Sequence, residues 1–120
     1  MSLLRKQLLY IKDNIIKRRY KLKELHNKKK ELSIQISEIK QTLLDNITEK
    51  KDDKGKALYS NATKRDSALK YALVEHKEYN TKSKLLVDLE DEIKECEIEL
   101  DSFKIDMKIE EICSRYQVWI

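Results

Sequence analysis

Proline is absent from this 120-residue chain, and glycine occurs once, as Gly55. Those are the two residues that most often stop or loosen a helix, so over long stretches nothing in the chain opposes helix formation. Aromatic residues are also sparse: one Phe, one Trp and six Tyr. Such a chain can line a seam with apolar side chains but cannot fill a thick globular interior. No stretch approaches the roughly 20 apolar residues that a membrane span requires. The opening Met1-Ser2-Leu3-Leu4-Arg5-Lys6 has neither the apolar core nor the small-residue cleavage site of a signal peptide. Cys96 and Cys113 stand far apart, outside any C-x-x-C pair, which favours reduced, structural thiols and a cytoplasmic setting.

The same thinness applies to chemistry. There are only two histidines, His26 and His76, whereas a metal site needs three or four converging ligands. Phosphate-loop, dinucleotide, zinc-protease and nucleophile-elbow motifs are all missing. Lys54-Gly55-Lys56 lacks the glycine spacing of a phosphate loop and reads as a turn. The expectation is therefore a non-catalytic protein with no cofactor, metal or small-molecule substrate.

What the chain does have is charge and periodicity. Charged residues make up 40% of it, against about 25% in an average protein. From Met1 to Lys56 there are 16 Lys/Arg and 8 Asp/Glu, and from Ala57 to Ile120 there are 10 and 14. The first half is thus basic and the second acidic, which suits either an external partner or two halves made for each other.

Apolar residues recur at Leu4, Leu8, Ile11, Ile15, Leu22, Leu25, Leu32, Ile36, Ile39 and Leu43. These alternating steps of four and three are the mark of a coiled-coil seam, into which Arg18, Lys29 and Asn46 also fall. The run Lys50-Lys51-Asp52-Asp53-Lys54-Gly55-Lys56 has no apolar residue and reads as a turn. Ser60 or Asn61 is a suitable cap for a second helix, with Thr63 and Asp66 a weaker capping box. The second seam is regular from Leu86: Leu89, Ile93, Cys96, Leu100, Phe103 and Met107. The poor helix formers that end Glu75–Thr81 predict a bend at about 76–81. After Met107 the stripe moves to Ile109, Ile112, Tyr116 and Trp119, a stutter in the heptad.

These signals predict an all-α fold, an antiparallel helical hairpin in one domain over 1–120. Its first arm covers about 3–49, its turn about 50–59 and its second arm about 60–117. With Leu8 at position a, the first arm places Arg5, Lys12 and Arg19 at e and Lys21 and Lys28 at g. With Leu86 at a, the second arm places Glu90 and Glu97 at e and Glu92, Glu99 and Asp106 at g; Lys104, also at e, is the exception. In an antiparallel pair e meets e and g meets g. A register with its reversal centred on Gly55 and Lys56 pairs Ile11 with Leu100, Ile15 with Cys96, Leu22 with Leu89 and Leu25 with Leu86. It also joins Lys12 to Glu97, Arg19 to Glu90 and Lys21 to Glu92. Its weaknesses are Lys29 against Lys82 and Ile36 against Glu75.

Three surfaces are candidate sites. A second apolar stripe, Leu9, Ile16, Ile98, Ile105 and Ile112, with Tyr20 beside it, predicts dimerisation through the open end into a local four-helix bundle. A basic cluster holds Lys17, Arg19, Lys23 and Lys30, residues of the type that contact nucleic-acid phosphates. The heavier reading pairs Arg19, Lys21 and Lys28 with the acidic arm, and nucleic-acid binding is the alternative function. The tail residues Tyr116 and Trp119 suit a partner contact, or else a cap over the open end.

Gly55-Lys56-Ala57-Leu58-Tyr59-Ser60-Asn61-Ala62-Thr63-Lys64-Arg65, followed by the acidic helix through Glu111, resembles small uncharacterised coiled-coil proteins of bacteriophages and prophages. The resemblance covers residues 55–111. It implies the cytoplasm of a bacterial or phage-infected cell, and a role in phage DNA metabolism or in blocking a host complex. Homo-oligomerisation and a protein partner are expected, nucleic acid is the second candidate, and no membrane is involved.

Overall fold

The computed structural model describes residues 3–116. They form three helices, α1 (Leu3–Glu49), α2 (Ala62–Glu75) and α3 (Lys77–Tyr116). There is no strand among the described residues, only one isolated antiparallel bridge, Lys51 to Ala57. The 47 residues of α1 run without interruption, as a stretch free of proline and glycine permits.

The chain divides into two compact units, one formed by Met1–Lys28 and Leu89–Ile120, the other by Lys29–Asp88. The first unit contains most of the core. Ile11, Ile15 and Leu100 are buried together, with Leu22, Phe103 and Met107 packed on them. Leu25, Ile93 and Cys96 form a second buried cluster, flanked by Leu22 and Leu89. Partner numbers fall along α3 as they rise along α1, so the two helices run antiparallel in this unit. Cys96 is only 1% exposed, and its Sγ–H donates to the carbonyl of Arg18 at 3.4 Å.

The observed packing corrects the expected register. Leu25 meets Ile93 and Cys96 rather than Leu86, and the Ile11–Ile15 layer meets Phe103 and Met107 as well as Leu100. The slip is one heptad, about 10 Å along the helix at 1.5 Å per residue. Arg18 explains much of it. The expected register would leave this seam cation against Ile93. In the structure its Nε donates to Oε2 of Glu99 at 3.1 Å, its Nη1 donates to Oδ1 of Asn14 at 2.8 Å, and its guanidinium lies 4.8 Å from the Phe103 ring centre. A half-buried charge without a partner costs more than an exposed flanking pair contributes, which is only about 0–1 kcal/mol. The seam charge therefore outweighs the flanking pairs.

In the second unit only Ile47 is buried, and α2 buries no residue. The slip recurs within this unit. Gln35, Ile39 and Thr42 line a groove with His76, Glu78 and Lys82, and the ammonium of Lys40 lies 6.0 Å from the Tyr79 ring centre. The expected clash of Lys29 with Lys82 gives way to a 2.9 Å pair between Lys82 and Glu78 on the same helix, and Lys29 has an interaction of its own.

The loop accounts for the geometry of the reversal. Oδ1 of Asp52 accepts from the backbone N–H groups of Lys54 and Lys56 at 2.9 and 3.0 Å, and Gly55 takes the left-handed φ of 78° that favours glycine. The segment from Lys50 to Asn61 is non-helical. The Lys51–Ala57 bridge and the 2.9 Å bond from the Leu58 N–H to the Lys50 carbonyl fold this part of the segment back on itself, and only Tyr59–Asn61 lead on to α2. Oδ1 of Asn61 accepts from the Lys64 N–H at 2.8 Å and caps α2. His76 separates α2 from α3 with extended backbone (φ −82°, ψ 106°). Its Nδ1 accepts from the Tyr79 N–H at 3.0 Å, so it caps the start of α3.

Candidate interaction surfaces

The second apolar stripe lies in the first unit, and the structure divides it in two. Ile98, Ile105 and Ile112 are 69%, 60% and 46% exposed. They hold heptad position f, opposite the seam, and Ile109 and Tyr116, also exposed, extend the row toward the end of α3. Leu9 and Ile16, at 40% and 39%, hold position b on α1, closer to the seam. The two sets therefore face different directions. Trp119 lies outside the described residues.

The basic candidates are all exposed. Lys17, Arg19 and Lys23 belong to the first unit, while Lys30 belongs to the second and is exposed there. The slip of one heptad removes the flanking pairs that the sequence suggests. Glu97 faces His26 at 4.0 Å instead of Lys12. Lys28 pairs with Glu24 of its own helix at 3.4 Å. Lys12, Lys17, Arg19, Lys21 and Lys23 form no ion pair with a described residue. Arg19, Lys21 and Lys28 thus make no direct ion pair with the acidic arm among the described residues.

An open groove of about 410 Å³ lies on one side of the first unit, lined by Lys6, Gln7, Tyr10, Asp106, Ile109 and Glu110. Oε2 of Glu110 is buried there without a hydrogen-bond partner. In the second unit a larger groove, about 800 Å³, runs past Ile47, Leu58, Tyr59 and Tyr71, with Lys50 and Lys64 at its edge.

Set against protein-family models, curated proteins and solved structures, the chain matches none. Among the described residues no group of His, Cys, Asp and Glu is placed to hold a metal ion. No helix is long and apolar enough to cross a membrane. Both cysteines are unpaired and buried.

Sequence reading passed over Lys94, Lys104 and Lys108 of α3, which are exposed at positions b and e as are Arg19 and Lys23 of α1. The available signal was their shared heptad position, b or e. It was obscured because Lys104 looked like one exception on an acidic arm.

Proposed function

We propose that this is a non-catalytic coiled-coil interaction module that self-associates through the outward face of α3. The observation that carries the reading is the row Ile98, Ile105 and Ile112, spaced by sevens and exposed along a helix whose opposite face already packs on α1. A helix apolar on two faces has a second partner. Joining two copies along this row gathers four helices into a local bundle, with Leu9 and Ile16 at its margin. The lack of any catalytic motif in the sequence agrees with a binding role. The resemblance of residues 55–111 to phage coiled-coil proteins suits an accessory or inhibitor that acts on a host complex in the cytoplasm.

Light scattering at micromolar concentration tests this. The expected mass is at least twice the 14.4 kDa of one chain. Ile98→Asp and Ile105→Asp should return it to one chain mass while circular dichroism retains most of the helix. A wild-type monomer at that concentration overturns the reading.

A further inference from the structure

The first unit has two chemically different sides, which the antiparallel packing makes identifiable. With Leu8 at position a of α1 and Ile93 at position a of α3, His26 and Glu97 are both e residues. Their 4.0 Å approach marks the side of the seam where e meets e. Gln7 and Asp106 are both g residues, and the groove they line with Tyr10 and Ile109 marks the other side.

On the e side, together with the adjoining b positions, lie Lys12, Arg19 and Lys23 from α1 and Lys94, Lys104 and Lys108 from α3. All six are exposed, and none forms an ion pair with a described residue. The observed register sets Lys12 level with the stretch between Lys104 and Lys108, where the expected register set it against Glu97. The acids on this side are few. They are Glu90, Glu97, Asp101 and Glu111, four against the six cations; Glu90 has an interaction of its own, and Glu97 lies 4.0 Å from His26. The g side carries Glu92, Glu95, Glu99 and Asp106 against Lys17, Lys21 and Lys28, with Glu99 paired to Arg18. A polyanion is therefore attracted more strongly to the e side than to the g side.

We infer that the e side of the first unit holds the sugar–phosphate backbone of duplex nucleic acid. From Lys12 to Lys23 the α1 row spans about 16 Å at 1.5 Å per residue, and the α3 lysines form a second row beside it. Two rows of flexible cations suit phosphate contacts, which position a duplex without reading its sequence. Single strands are held largely by aromatic stacking. The exposed Tyr10, Tyr20 and Tyr116 occupy positions c and f, away from this side. The two surfaces adjoin: self-association uses the isoleucines at f with Leu9 and Ile16 at its margin, and the nucleic-acid side uses lysines at b and e, with Lys23 in the same b row as Leu9 and Ile16.

Fluorescence anisotropy with a short labelled DNA duplex of mixed sequence tests it on the full chain. Binding at about 50 mM salt should weaken on the order of a hundredfold by about 200 mM, the fall for about four neutralised phosphates. Replacing Lys12→Gln, Lys104→Gln and Lys108→Gln together should lower the salt slope by about three. Replacing Lys17→Gln, Lys21→Gln and Lys28→Gln together, on the other side, should leave the slope almost unchanged. If the first triple variant loses helix by circular dichroism, the single changes Lys12→Gln and Lys104→Gln decide instead, each expected to lower the slope by about one. The inference is overturned by no binding at low salt, by equal loss in both triple variants, by tighter binding to single strands, or by equally tight binding to polyglutamate.

Discussion

Arg18 crosses from α1 to donate a 3.1 Å hydrogen bond to the carboxylate of Glu99 on α3. Their side chains are 27% and 48% exposed, so the pair sits at the margin of the seam rather than in dry interior. The cation enters a run of apolar positions, yet its guanidinium keeps contact with water. It is also covered on one face by Phe103, and this combination fixes which turn of α3 lies opposite Arg18.

The register is open to a direct chemical test. In a background with Cys96→Ala and Cys113→Ala, cysteines at Leu25 and Ile93 should form an intramolecular disulfide, because those residues share one buried cluster. Cysteines at Leu22 and Leu89 should not, since the slip of one heptad separates them by about 10 Å along the axis. Gel mobility under non-reducing conditions reads both. Efficient Leu22–Leu89 bridging would restore the register expected from the charges. Bridging between chains would show that the helices pair by exchange.

Arg18 is expected to determine register more than stability. Arg18→Met keeps apolar contact with Phe103 and leaves Glu99 free to hydrate, so urea unfolding should place it within about 1 kcal/mol of the parent or above it. Arg18→Ala removes that packing as well and should cost about 1–2 kcal/mol. A loss of several kcal/mol in the Met variant would mean that the ion pair stabilises the fold outright.

Among the described residues Glu78 gives the one clear pH signature. Hydrogen bonding and charge attraction from Lys82, with a smaller pull from His76, hold its carboxyl below the ordinary glutamate range against a small opposing effect of burial. A depressed carboxylate favours the folded chain above the ordinary glutamate pKa. That contribution is lost as pH falls through the lower, folded-state value. Carbon-detected NMR titration should find Glu78 protonating at lower pH than the other glutamates, and Lys82→Met should remove most of the difference.

The sequence by itself determined that the described chain is helical. Heptad spacing, the absence of proline and the single glycine leave no other regular structure open, and Asn61 carried the oxygen that caps α2. The outward isoleucines of α3 were also legible, because a period of seven survives whatever packs on the other face.

The level at which the two helices meet was decided only by tertiary structure. Shifting a coiled coil by one heptad presents nearly the same apolar pattern, so periodicity cannot tell the two registers apart. Flanking charge pairs appeared to choose, but each is exposed and nearly neutral in energy. Arg18 and the folded loop from Lys50 to Asn61 bear on the choice. The first needed a carboxylate and an aromatic face, and the second closes on itself between Lys50 and Leu58, so a count of residues around Gly55 does not give the level at which α2 begins. The slip moved Lys12 off Glu97 and level with the stretch between Lys104 and Lys108, so the basic side inferred for the first unit is a product of packing, drawn from two arms of opposite overall charge.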